Sequence, residues 1–279
     1  MANSIHWFPG HMNKALHEVE ERIKVIDAII ELFDARAPLS SINEDLEKAT
    51  KNKKKVYVFT KADLADPKQT DLWRKHFTSE NVKVIVTNLN DKNSYKLISD
   101  AVVAVGKGKW AKEMARGMKP QPIRTMIIGI PNVGKSSLIN VLAKRKVAGV
   151  QNKPGYTRGE QWIKVNKDFL LLDTPGILPM SYENKEKAAK LALIGSIRDD
   201  ILPNSDLVDY LLDYLKNRYP EALKERFGIE TISHRKEVSL AIADRRKLIR
   251  KNNEPDLEKA EALLLKEFKD GLLGNITLE

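Results

Sequence analysis

Between Gly129 and Ser136 the chain reads GIPNVGKS, with two glycines, a lysine and a hydroxyl at the spacing G-x-x-x-x-G-K-S. Such a loop can bend so that successive backbone N–H groups converge on one point, which suits a string of phosphates. An apolar run, Ile123–Gly129, precedes it, and a helical pattern over Ser136–Ala143 follows, as a loop of this kind requires. The helix N-terminus adds a favourable dipole. Lys135 is placed to bridge β- and γ-phosphates and is a catalytic candidate, while Ser136 can offer its hydroxyl oxygen to Mg2+. Asn132, Val133, Gly134, Lys135, Ser136 and Ser137 are therefore the phosphate-side binding candidates. A second group, Asp173-Thr-Pro-Gly176, follows the apolar FLLL and stands 37 residues after Ser136. Asp173 is the expected carboxylate on the magnesium side, acting through water, and Gly176 can offer its N–H to the γ-phosphate. Thr157, in the polar loop NKPGYTR, is a candidate second magnesium ligand, with an ordinary turn residue as the other reading.

Thr60-Lys-Ala-Asp63 follows the apolar VYVF. A carboxylate at Asp63 can accept two hydrogen bonds from the N1 and N2 donors of guanine; adenine lacks both, so a site built for them rejects it. Lys61 can cover the base with its aliphatic stem. Thr60 stands where the usual guanine motif, N-K-x-D, has asparagine. Asn88 and Leu89 fall where a supporting base-contact loop belongs, so the base-side candidates are Thr60, Lys61, Ala62, Asp63, Asn88 and Leu89. The base motif precedes the phosphate loop by about 66 residues, the reverse of the ordinary order. That is a circular permutation, tolerated where natural chain ends lie close together. It sends the Asp173–Gly176 segment straight into the C-terminal region, so loss of the γ-phosphate would be felt there.

These groups need a scaffold. Val25–Phe33, Lys54–Phe59, Val82–Thr87, Ile123–Gly129, Gln161–Val165 and Phe169–Leu172 read as strands, separated by polar helical stretches such as Pro67–Thr78. The alternation predicts an α/β fold, a mostly parallel sheet covered by helices on both faces. Gly106–Lys109 and Pro120–Pro122 read as joints around a basic helical piece, WAKEMARGMK. Beyond Ala188 the strand pattern stops. Leu207, Leu211, Leu212 and Leu215, then Leu257, Ala260, Leu263, Leu264 and Phe268, recur at helical spacing as core stripes. The expected organisation is a circularly permuted P-loop GTPase domain over 1–190 and an all-helical domain over 205–279.

The 279 residues carry a formal charge of +10. A basic surface attracts phosphate polyanions such as RNA, although plain solubility accounts for it equally. Arg235–Lys251 holds seven basic residues against two acidic ones, and Arg246 and Arg250, one turn apart, are expected to share a helix face toward phosphates. Lys107, Lys109, Lys112, Arg116 and Lys119, opposed by Glu113, form another basic stretch. Sparse aromatic interleaving favours structured RNA held through its backbone over stacked single strands. The absence of cysteine excludes disulfides, thiolate zinc sites and cysteine nucleophiles, and fits a cytoplasmic protein. No apolar run approaches the roughly 20 residues that span a bilayer, and the N-terminus lacks the pattern of a secretion signal. No membrane partner is expected.

Taken together, the permuted order, WFPGHM, DARAP, GIPNVGKSS and DTPGIL resemble the YlqF/RbgA family of bacterial ribosome-assembly GTPases over nearly the whole chain. The resemblance implies a GTP-hydrolysing factor for late maturation of the large (50S) subunit. It would bind pre-subunit rRNA in the GTP state through a C-terminal helical domain and be stimulated by that subunit. Separately from the resemblance, a monomer is expected. Many GTPases orient the attacking water with a glutamine after DxxG; here that place is Ile177, which cannot hydrogen-bond. The resemblance assigns the role to the histidine of PGHM, His11, which on its residues alone reads as an inert surface or packing histidine. It also points to Asn132 as a ligand for K+, which can stabilise charge on the transferring group; the other reading is that only its backbone matters. A GTP-dependent RNA-binding switch acting on a non-ribosomal RNA is the alternative function. A P-loop ATPase is a third, opposed by Lys61 and Asp63.

Overall fold

The structure is a computed structural model that describes residues 5–6, 10–143, 162–172, 181–182, 184–197, 202–251 and 253–279. Along the chain lie β1 (Ile5–His6), α1 (Gly10–Arg22), β2 (Ala28–Asp34), α2 (Glu44–Thr50), β3 (Lys54–Thr60), α3 (Pro67–Phe77), β4 (Val82–Val86), α4 (Ser94–Ala115), β5 (Ile123–Gly129) and α5 (Lys135–Ala143). Then come β6 (Trp162–Lys164), β7 (Phe169–Leu172), β8 (Ser181–Tyr182), α6 (Lys185–Leu193), α7 (Asn204–Arg218), α8 (Ala222–Phe227), α9 (Arg235–Arg246) and α10 (Leu257–Lys269).

Six strands form one sheet in the order β4-β3-β2-β5-β7-β6. All neighbours are parallel except β6 against β7. The strand that enters the phosphate loop, β5, is central. The chain builds β2, β3 and β4 on one side of it first, then crosses to β7 and β6 on the other. Permutation in sequence thus becomes ordinary adjacency in space. Every residue of β2 is buried, as a strand covered on both faces must be. Ile30 and Leu32 share a core with Ile98 and Val102 of α4. Ile29 packs with Val19 of α1 and Leu46 of α2 on the opposite face. Phe33 meets Tyr57, Phe59 and Phe77 of α3 there, the nearest ring centroid at 4.6 Å. Helix α3 starts where Asp66 caps the amides of Lys68 and Gln69 and Pro67 takes the first position.

Two expectations need correction. The expected joint at Gly106–Lys109 is absent, and α4 runs unbroken through it. Gly106 is glycine because the helix crosses β5 too closely for a side chain: a Cβ there would lie 2.1 Å from Ile123 Cδ1. Nor do Arg246 and Arg250 share a helix face, because α9 ends at Arg246 and Lys247 turns left-handed at φ 54°. Arg246 reaches Glu267 at 3.4 Å and lies over the Phe227 ring, whereas Arg250 pairs with Asp256 and Glu258.

The expected leucine stripe of α7 is buried, as are Ala260, Leu264 and Phe268 of α10; Leu263 is half-buried and packed against the same core, and Leu257, at the start of α10, is half-buried outside it. Helix α10 packs on α7 and α9, and α6 packs on α7.

Candidate nucleotide site

The loop after β5 places Asn132 and Gly134 at positive φ, 56° and 107°. Gly134 is tight as well as twisted: a Cβ would lie 3.1 Å from Leu89 Cδ1. Helix α5 begins at Lys135, and the Leu138 N–H donates to the Gly134 carbonyl at 2.8 Å. The first-turn N–H groups of a helix have no partner within it, which makes this end an anion site. Lys135 arches back over the loop, its Nζ 3.5 Å from the carbonyl oxygens of both Gly129 and Ile130. Ser136 and Ser137 are exposed at the same end. The Ser136 hydroxyl is a hard oxygen donor of the kind Mg2+ takes.

The upstream loop meets this one. Thr60 closes β3, and its Oγ1 lies 2.7 Å from the Val133 carbonyl and 3.0 Å from that of Phe33. Threonine in the asparagine position therefore still ties the base loop to the phosphate loop. Lys61 follows at φ 54°, and Ala62–Leu64 forms a single tight turn closed by the Leu64 N–H on the Lys61 carbonyl. Asp63 stands exposed on that turn. The third loop is held by the Thr87 N–H on the Phe59 carbonyl, and by the Asn88 carbonyl accepting from Ser94 Oγ at 2.7 Å. Asn88 Oδ1 accepts from the Asn90 N–H, and Leu89 reaches Gly134. Three loops separated in sequence thus meet at the same end of the parallel sheet.

Two residues with no role in the sequence reading stand behind this site. Asp34 is fully buried at the end of β2; it accepts from Arg36 Nε at 2.9 Å and Nη2 at 2.8 Å, and pairs with Lys61 Nζ at 2.8 Å. Burial would raise the Asp34 pKa, but Arg36 and Lys61 outweigh it and hold the carboxyl below its ordinary value. The signal was the DARAP string itself, which names a pair but not its burial. Asn132 also has a partner the spacing did not show: its Nδ2 donates to the Gly195 carbonyl, just past α6, at 2.9 Å.

Thr157, Asp173, Gly176 and Ile177 lie outside the described residues. His11 falls within α1, but its side chain is likewise outside the description. The β1–β8 pairing sets Ile5 against Tyr182 and His6 against Ser181, so the strand before PGHM lies beside the strand after DTPG. Among the described residues no helix is long and apolar enough to cross a membrane.

A family model described as 50S ribosome-binding GTPase matches residues 124–249. The chain is 41% identical over 276 residues to ribosome biogenesis GTPase A of Bacillus cereus, covering 99% of this chain and 93% of that protein. It is 39% identical over 277 residues to the protein of the same name from Bacillus pumilus, covering 99% and 98%. Among solved structures, the GDP-bound structure of TM YlqF is similar at 25% identity and a TM-score of 0.66, over 94% of this chain and 98% of that one. The GNP-bound YlqF from T. maritima gives 26% identity and a TM-score of 0.64, over 95% and 97%. A central phosphate-loop strand, a base loop reached from upstream and full-length likeness to these proteins agree: the chain belongs to the ribosome biogenesis GTPase A (YlqF/RbgA) family of circularly permuted GTPases.

Proposed function

We propose that this GTPase is an assembly factor for the large ribosomal subunit, engaging pre-subunit rRNA in its GTP state and hydrolysing GTP when the subunit completes the site. The observation that carries this is the 41% identity, over 93% of its length, to a protein named for ribosome biogenesis. Asp63 reads the guanine edge and Lys61 covers the base, with Thr60, Ala62, Asn88 and Leu89 shaping that side. Backbone N–H groups from Asn132 to Ser137 and the Lys135 ammonium hold the phosphates. Ser136 and Thr157, with Asp173 through water, would hold Mg2+, which supplies charge neutralisation on the phosphates when bound. Gly176 contacts the γ-phosphate, and His11 orients the attacking water in the place where Ile177 cannot. Asn132 would present its Oδ1 to K+. The unit over 1–190 performs this chemistry. The helical unit over 205–279 meets RNA, its exposed Lys236, Arg245, Lys247 and Lys251 supporting contact with a phosphate backbone. The protein works in the cytoplasm as a monomer.

Purified large subunits are expected to raise the GTPase rate by at least tenfold, and His11→Ala to remove that rise while GDP affinity stays unchanged. A stimulated rate unchanged in His11→Ala would take the histidine out of the mechanism. Stimulation by a non-ribosomal RNA but not by the subunit would replace the ribosomal partner.

A further inference from the structure

We propose that Arg36 is a positioning residue for guanine recognition, and that through it the C-terminal end of the chain clasps the base loop. This rests on the assignment of Lys61 and Asp63 to the base. Arg36 is 2% exposed. A buried guanidinium persists only when its charge is paired and its donors are used. Its Nε and one Nη grip Asp34, and Asp34 in turn holds the Lys61 ammonium at 2.8 Å. That contact sets the direction of the Lys61 stem, on a residue whose left-handed backbone needs support from its surroundings.

The other bonds of Arg36 run outward to two helices. Nη1 donates to the carbonyl of Lys269, the last residue of α10, at 3.0 Å, and Nη2 also reaches the Ile194 carbonyl after α6 at 3.1 Å. The final residues then run along the same loop. The Leu278 N–H donates to the Arg36 carbonyl at 2.7 Å and the Ile276 N–H to the Leu64 carbonyl at 3.1 Å. The Asp66 N–H donates to Thr277 Oγ1 at 3.0 Å, and the Glu279 carboxylate accepts from the Leu39 and Ser40 amides at 2.6 and 2.9 Å. Residues 276–279 therefore hold both ends of the base loop's support, Arg36 on one side and Leu64–Asp66 on the other. This route from the helices to the nucleotide enters at the base. A partner that draws α10 or the tail away would loosen Lys61 and favour nucleotide release. By reciprocity, a bound guanine nucleotide tightens the tail.

Two measurements on the full chain test this. In the wild type, GDP is expected to slow amide hydrogen exchange at Ile276 and Leu278 several-fold, and ADP is not; equal exchange with and without GDP overturns the proposal. In a double-mutant cycle read by fluorescent-GDP affinity, Arg36→Lys and Lys61→Met (which keeps the stem) are each expected to raise Kd about tenfold. Together they should raise it no further than the larger single change, since both cut one link. Effects that multiply, or an Arg36→Lys variant with lowered thermal midpoint and unchanged Kd, reduce Arg36 to a structural residue. Should Arg36→Lys not fold, the wild-type exchange decides alone. A wild type that binds ADP as tightly as GDP overturns the base assignment itself and the inference with it; a GDP preference with a multiplicative cycle overturns only the role of Arg36.

Discussion

The Thr60 hydroxyl links the end of β3 to the loop after β5. It spans from the base side to the Val133 carbonyl at 2.7 Å while 1% exposed. Valine has nearly its shape without the oxygen. Thr60→Val would leave that buried carbonyl without its side-chain partner, a loss of about 1–3 kcal/mol. GDP affinity is expected to fall by roughly one order of magnitude on that scale, with Thr60→Ser close to wild type; calorimetric titration giving Thr60→Val the wild-type Kd would contradict the tether. The meeting of the Thr60–Asp63 and Gly129–Ser136 loops was legible because each is a short contiguous motif with chemistry tied to spacing. Asp34 and Arg36 were not. An acid and a base two positions apart look like a solvated pair until the fold buries both. The partner of Asn132, a backbone carbonyl 63 residues away, has no spacing signal at all.

At the scale of elements, the strands were legible because apolar runs in a doubly covered sheet are nearly continuous. The expected bounds of β5 and β7 coincide with those observed. Helix α4 was misread because glycine usually punctuates a helix, whereas Gly106 marks a close crossing over Ile123. Helices of six or seven residues, α2 and α8, carry too little periodicity to stand out. A buried acid without a full set of partners lies within the sheet itself. Glu31 of β2 is 1% exposed; its Oε2 is 3.5 Å from Lys55 Nζ and makes no hydrogen bond among the described residues, while Lys55 bonds Glu47 at 2.6 Å. Burial, with the negative charge of Glu47 adding and Lys55 opposing, pushes the Glu31 pKa up to about 8. Its ordinary value is 4.5, so between the two the folded chain binds a proton that the unfolded chain has released. The contribution to stability is full below the ordinary value and is lost as pH rises through about 8. The thermal midpoint is expected to decline between about pH 5 and pH 8 and the Glu31 contribution to level off above that, and Glu31→Gln to flatten the decline; an unchanged slope in the variant would contradict the buried-acid account.

At the scale of the molecule, permutation changes what the nucleotide touches. In the proposed assignment the loop after β3 meets the base and the later loop after β5 the phosphates; the chain then passes into helices, and residues 276–279 return to the loop after β3. Helices α7 and α10 were legible from their leucine spacing, but the return of residues 276–279 to Leu64 and Arg36 was not, because backbone bonds leave no mark on composition. All of this depends on Asp63 and Lys135 serving one guanine nucleotide. Xanthine carries a carbonyl where guanine carries its 2-amino group, so an amide at position 63 should exchange the preference. The most direct measurement is hydrolysis of GTP and XTP by Asp63→Asn, alone and combined with Lys135→Ala. The account predicts that Asp63→Asn loses at least a hundredfold in kcat/KM for GTP, hydrolyses XTP instead, and loses that XTP activity when Lys135 is also removed. GTP hydrolysis by Asp63→Asn at the wild-type rate, with no gain toward XTP, would contradict it.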